Sequence, residues 1–200
     1  MNDKTTAAPR RNIRRTLLRL IGSAMLLTTA ALLLNRGYHH YLTRVYPMEH
    51  ARLVNEAAAE YQISPSLIFA VIHTESSFRE QALSPADAKG LMQLTDDTFN
   101  WALSRAGETG KYTVEDLYDP AVNIHYGVYV LSLLGEQFEY TETVLAAYNA
   151  GQGRVGSWLQ DPTLSADGKR LDSIPYPETE TYVKRVLEAQ KRYRTLYHIE

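Results

Sequence analysis

The sequence predicts an all-α protein, with one helical domain behind a single N-terminal transmembrane helix. Three observations carry this. Five arginines, Arg10, Arg11, Arg14, Arg15 and Arg19, precede an uncharged apolar run from Leu20 to Leu34. Beyond it, cap-then-proline pairs and apolar stripes of helical period recur, while strand alternation is almost absent. Finally, 200 residues with 44% apolar content suit one folded domain plus a short appendage.

The apolar run alone makes a helix of about 22 Å, short of the roughly 30 Å hydrocarbon core. Extended back to Thr16, with Arg19 reaching the headgroups, it spans about 28 Å. Tyr38 and Tyr41 fall where an interfacial aromatic belt belongs. A cleaved signal peptide is the competing reading. Ala24, Ala30 and Ala31 are small, but Leu32, Leu33 and Leu34 follow directly and no lipobox cysteine exists, which favours a retained anchor. The positive-inside rule then leaves the amino terminus in the cytoplasm and the rest outside. The expected organisation is a basic cytoplasmic segment 1–15, an anchor 16–34, a tether 35–48 ending after Pro47, and a folded domain 49–200.

Within the domain, Met48 to Tyr61 is Ala-rich and amphipathic. Ser64-Pro65 is a cap and first-turn pair that opens a helix to about Ser76. A loop through Ser84, Pro85 and Gly90 leads to Thr95, the expected cap of a short helix through Leu103. Gly107 to Lys111 reads as a turn. Asp119-Pro120 starts a helix to about Phe138, and Thr141 is expected to cap the next, which Gly151 stops. A short helical piece carries Val155 and Trp158, residues 160–177 form a long loop, and a last helix begins near Glu178. Both Trp101 and Trp158 are expected in the core.

Charge is unevenly spread. Residues 1–46 hold eight Lys/Arg and one acidic residue, so the net charge of -2 divides into about +7 and, for the remainder, about -9. An acidic domain without a basic face excludes nucleic acid as a partner. With no cysteine, disulfides, thiolate catalysis and Cys-ligated zinc are excluded too. The six histidines form no ligand cluster, and neither a metal nor another cofactor is expected.

One carboxylate is out of place. Ile68, Val71, Ile72 and Glu75 share a face of the Pro65 helix, an apolar stripe until its last member. Partial burial and the helix C-terminus both push the Glu75 pKa upward, as a general acid near neutral pH requires. Phe78 can add apolar cover. The competing reading is a solvated glutamate at a fraying helix end.

The surrounding blocks favour the functional reading. In order they are Glu75-Ser76-Ser77-Phe78, Ala82-Leu83-Ser84-Pro85, Gly90-Leu91-Met92-Gln93-Leu94, Asn123-Ile124, Ala146-Ala147-Tyr148-Asn149-Ala150-Gly151, and Ile174-Pro175-Tyr176 with Glu178-Thr179 and Tyr182-Val183. Over about residues 50–190 this order resembles the soluble lytic transglycosylase family of peptidoglycan lyases. The resemblance implies a lysozyme-like fold of the goose-type kind, with Glu75 as acid/base. It puts Ser84 near the substrate acetamido group and Met92 and Gln93 along the wall of the glycan groove. By the same resemblance Tyr148 reaches toward the catalytic carboxyl beside Asn149, and Glu178 is a binding or supporting residue. Two departures stand out: Asp87, where many relatives have glycine, and Glu180, where arginine often follows the Glu-Thr pair.

The implied substrate is the peptidoglycan glycan strand, and the implied reaction closes a 1,6-anhydro-MurNAc end with Glu75 as acid and then base. Two alternatives stay open. A lysozyme-like hydrolase would position water with Asp87, Asp96 or Asp97. A non-catalytic, membrane-anchored peptidoglycan-binding protein would need no working Glu75.

Overall fold

The computed structural model describes residues 10–200, with side chains described from Arg15 onward; residues 1–9 of the expected basic segment lie outside it. It falls into two units, one ending at Val45 and one spanning Tyr46–Glu200. The first is a single helix, α1 (Arg10–Val45), whose 36 residues extend about 54 Å. Its leucines are exposed, and from Arg15 it is long and apolar enough to cross a membrane, as a signal sequence would also be. Residues 35–45, expected as a tether, continue this helix. No proline or helix-ending cap interrupts them before Pro47.

The second unit is all-helical: α2 (Ala51–Tyr61), α3 (Pro65–Ser76), α4 (Asp96–Ala106), a 3-10 turn (Val114–Tyr118), α5 (Pro120–Gln137), α6 (Thr141–Ala150), α7 (Gln152–Leu159) and α8 (Pro177–Tyr197). The sole extended pairing among the described residues is two isolated bridges, Leu83 with Lys89 and Lys89 with Leu94.

Helix α3 is central because it is apolar on every side. All of Leu67–Ile72 is buried, the pattern of a helix enclosed by others. It packs most extensively on α8, which also packs on α6, while α5 lies against α2 and α6. The α8 stripe Tyr182, Val186, Ala189 and Tyr193 supplies the matching face. The same helix holds the start of the unit: the Tyr193 hydroxyl donates to the Pro47 carbonyl (2.9 Å) and that of Tyr197 to the Tyr46 carbonyl (2.6 Å).

The expected caps are partly as drawn. Thr95 Oγ1 accepts from the Thr98 amide and Asp119 Oδ1 from that of Ala121. Ser64 precedes its helix, but its hydroxyl pairs with that of Ser66. Tyr140, not Thr141, is the residue before α6, so Thr141 is already helical. The 3-10 turn was not expected; Thr113 and Asp116 cap it reciprocally. In the long loop after α7, the carboxylates of Asp161, Asp167 and Asp172 each accept backbone amides, which makes it an ordered structure.

Candidate active site

Glu75 comes to its position because α3 stops one residue later. Ser77 and Phe78 both take left-handed backbone, with φ of 50° and 62°. That is an outlier for a bulky side chain, compensated here by burial of the Phe78 ring against Phe69, centroids 6.3 Å apart. Glu75 is left half-buried at the end of its apolar stripe. Burial pushes its pKa from the ordinary 4.5 up to about 7, with the Tyr182 hydroxyl acting the other way.

Tyr182 is the group that faces this carboxyl. Its hydroxyl is buried without a hydrogen-bond partner of normal geometry, and Glu75 is the leading charge acting on it. Burial and that charge keep the phenol protonated far above neutral pH, so it stays a donor held against that carboxyl. Tyr148 is also within electrostatic reach of Glu75, but its hydroxyl donates to the Met92 carbonyl at 2.8 Å. The tyrosine expected to reach the carboxyl thus secures the neighbouring loop.

That loop, residues 82–95, is built around Asn123. Its side chain, fully buried on α5, accepts from the Met92 amide (2.7 Å) and donates to the carbonyls of Lys89 (2.9 Å) and Leu117 (2.8 Å). The fit requires glycine at 90. Its φ is +75°, and a Cβ there would lie 2.2 Å from both Asn123 Nδ2 and the Leu117 carbonyl oxygen. The Met92 side chain is fully buried against Gly127, so it does not wall a groove; what it offers is backbone. Gln93 donates to the carbonyls of Ala82 and Gly90, and its own φ is 52°. Ser84 Oγ accepts from the amides of Ala86 (3.2 Å) and Ala88 (3.0 Å), which leaves its hydrogen able to donate.

The aspartates sort themselves. Lys89, only 6% exposed, reaches Asp96 Oδ1 at 2.7 Å and Asp87 Oδ2 at 3.1 Å. Both carboxylates are therefore engaged, and the ammonium is held protonated, first by Asp96. Asp87 sits at φ 61°, a left-handed conformation that glycine adopts without steric cost. Asp97 is exposed and lines a cleft of about 320 Å³ with Trp101, Tyr148 and Gly151. Trp101, expected in the core, is only partly buried and lends a wall to this cleft. Trp158 is buried, edge-on to Tyr176.

On the far side, Asn149 Oδ1 accepts from Thr179 Oγ1 at 2.9 Å, which ties α6 to the first turn of α8. Glu178 is exposed on that turn, and Glu180 pairs with Lys184 along the helix surface. The structure thus gathers Glu75, Tyr148 and the Met92 backbone, together with three residues given no role from the sequence: Tyr182, Asn123 and Lys89. Tyr182 was findable. It heads the apolar stripe of α8 as Glu75 ends that of α3. Among the described residues no group of three or more His, Asp or Glu side chains forms a metal-ligand set.

The family model for the Transglycosylase SLT domain matches residues 52–169, more than half of the chain. The chain belongs to this family. It is 32% identical over 156 residues to the soluble lytic murein transglycosylase of Escherichia coli K12, covering 77% of this chain and 24% of that protein. The putative soluble lytic murein transglycosylase of Haemophilus influenzae is 34% identical over 171 residues, 80% of this chain and 27% of its own length. The 70 kDa soluble lytic transglycosylase of E. coli superposes with a TM-score of 0.70 at 31% identity, over 78% of this chain and 26% of that one. An inactive glutamate-to-glutamine mutant of lytic transglycosylase Slt from Pseudomonas aeruginosa gives 0.65 at 32% identity, over 76% and 25%. A 70 kDa soluble lytic transglycosylase in complex with bulgecin A gives 0.68 at 29% identity, over 78% and 26%. This chain spans about a quarter of the length of these relatives.

Proposed function

We propose that this protein is a membrane-anchored lytic transglycosylase that cleaves the MurNAc–GlcNAc β-1,4 bond of peptidoglycan with Glu75 as its one acid/base. The carrying observation is the half-buried carboxyl with a pKa of about 7, which populates both protonation states near neutrality. Protonated Glu75 gives its proton to the leaving glycosidic oxygen as the C1–O bond breaks. The MurNAc acetamido group supports the positive charge developing at C1, in a substrate-assisted variant of glycoside cleavage. Ionised Glu75 then takes the C6 hydroxyl proton, and that oxygen closes on C1 to give the 1,6-anhydro end. No water is consumed and Glu75 is restored. Tyr182 donates to the carboxylate between the two proton transfers. Engagement of Asp87 and Asp96 by Lys89 favours this lyase course over hydrolysis.

Membrane anchoring is supported by the length and apolar surface of α1 behind its arginines. The helical stretch 35–45 adds about 16 Å beyond the apolar run. An extended tether of residues 35–48 could have reached about 45–50 Å. Such an enzyme acts on glycan strands near the bilayer. The test is release of soluble muropeptides from purified sacculi by the full chain and by Glu75→Gln. Release by the first and none by the second is expected; equal release by both excludes Glu75 as the acid.

One observation favours a second reading. Asp97 opens onto the cleft beside Tyr148 and is the aspartate available to position water for a hydrolase. Loss of activity in Asp97→Asn together with reducing-end products would select it.

A further inference from the structure

A larger cavity, about 540 Å³, opens on a different face of α5 from the one that carries Asn123 and Gly127. It lies between α2, the turn after α4, and α5, and shares no residue with the Glu75 site. Its size is that of a small-molecule pocket. Its floor is Tyr126, 1% exposed, whose hydroxyl donates to Glu108. At the Glu108 end the chain shows which chemistry this lining accepts. Lys111 Nζ lies 2.6 Å from Glu108 Oε1 and 5.2 Å from the ring centroid of Tyr112, an ammonium between a carboxylate and an aromatic face.

The other end repeats these parts without a lysine. The rings of Tyr61 and Tyr129 stand 5.3 Å apart. The Glu60 carboxylate adjoins the Tyr61 hydroxyl, whose pKa is raised by burial and then by Glu60. That hydroxyl is fixed to His125 Nε2 at 2.9 Å, and Glu60 lies 3.6 Å from His125 Nδ1. Leu53, Ala57 and Val122 give the same cavity an apolar wall that a methylene chain can follow. Of its three carboxylates, Glu56 is paired with Arg52 and Glu108 with Lys111, so among the described residues Glu60 is the one without a Lys or Arg partner, facing the Tyr61 hydroxyl and the His125 imidazole.

We infer that the Glu60–Tyr61–Tyr129 end of this cavity is a second binding site, for an alkylammonium group carried on an aliphatic stem. Two sources carry that chemistry: the free side-chain amine of a diamino acid in a wall stem peptide, or a soluble diamine. The first source rests on the peptidoglycan reading above, whereas the site chemistry does not. Bound there, an uncrosslinked stem peptide would hold the domain on the wall while Glu75 works elsewhere on the strand.

The experiment is calorimetric titration of the full chain carrying Glu75→Gln, in detergent micelles, with n-pentylammonium as probe and 1-pentanol as its neutral counterpart. Saturable binding of the amine, weakened by salt and reduced about tenfold in Glu60→Gln, is expected. Glu60 is exposed enough for that change to leave the fold intact. Equal binding of pentanol, or an affinity unchanged by Glu60→Gln, overturns the inference. A second arm compares a tripeptide muropeptide with its form acetylated on the diamino-acid side chain. Loss of binding on acetylation supports the wall source; amine binding without muropeptide binding supports the ammonium site and assigns it to soluble amines. Cleavage of sacculi by the Glu60→Gln chain is read separately, so failure of this site and failure of the Glu75 reading give different results.

Discussion

Replacing Glu75 by glutamine has an effect on stability that follows from the cause of its raised pKa. Burial takes the carboxyl from 4.5 to about 7, so the folded chain holds its proton more tightly than the unfolded chain does. At about 1.4 kcal/mol for each tenfold change in proton affinity, ionising Glu75 costs the fold at most about 3.5 kcal/mol. The sign follows from proton counting. Between pH 4.5 and about 7 the native state binds more protons than the unfolded state, so stability falls as pH rises. Below 4.5 the cost is absent, and above about 7 it is complete. Glutamine, neutral at every pH, never incurs it. Urea unfolding of the domain in both forms, from pH 4 to 8.5, should give similar midpoints at the acid end. Above pH 7 the variant should be more stable by about 2–3 kcal/mol. A gap that does not change with pH, or one that favours the wild type at pH 8, would refute the account of Glu75 as a carboxyl kept neutral by burial.

Other substitutions test the parts around it. Tyr182→Phe removes the donor that holds the Glu75 pKa down, so the basic limb of the pH–activity profile should move to higher pH and peak activity should fall about tenfold. An unmoved limb would separate Tyr182 from the carboxyl. Asn123→Ala removes the three hydrogen bonds that clasp Lys89 and Met92 to α5 and the Leu117 turn, and should cost about 3–5 kcal/mol in chemical denaturation, with activity lost even where the fold survives. Gly90→Ala forces a Cβ into Asn123 and a left-handed φ on alanine; a loss of about 3 kcal/mol or more is expected, and a neutral effect would mean the loop is not clasped as described.

Much of the fold was legible because the signals were local. The cap-proline pairs at Ser64-Pro65 and Asp119-Pro120 mark where α3 and α5 begin, and the continuous apolar character of α3 announces a central helix. Glu75 was legible for the same reason, as a charge that ends an apolar stripe. What stayed hidden depends on contacts between distant segments. Asn123 lies 31 residues from Met92, and nothing in its neighbours says that its amide will be enclosed by another loop. The Lys89 triad turns on a bend that brings Asp96 back beside it. Met92 was placed on a groove wall through a family pattern, but Gly127 opens a space on α5 that takes its side chain into the core. The Tyr148 hydroxyl lies within electrostatic reach of Glu75, and only the fold shows that its hydrogen goes to the Met92 carbonyl.

The central claim concerns the fate of the C6 oxygen, and product analysis tests it most directly. Sacculi digested by the full chain in 18O-labelled water should yield muropeptides with 1,6-anhydro ends, lighter by one water than hydrolysis products and free of label. Labelled reducing ends would contradict the account, because they would require water, rather than the substrate's own hydroxyl, to be the group that Glu75 or Asp97 activates.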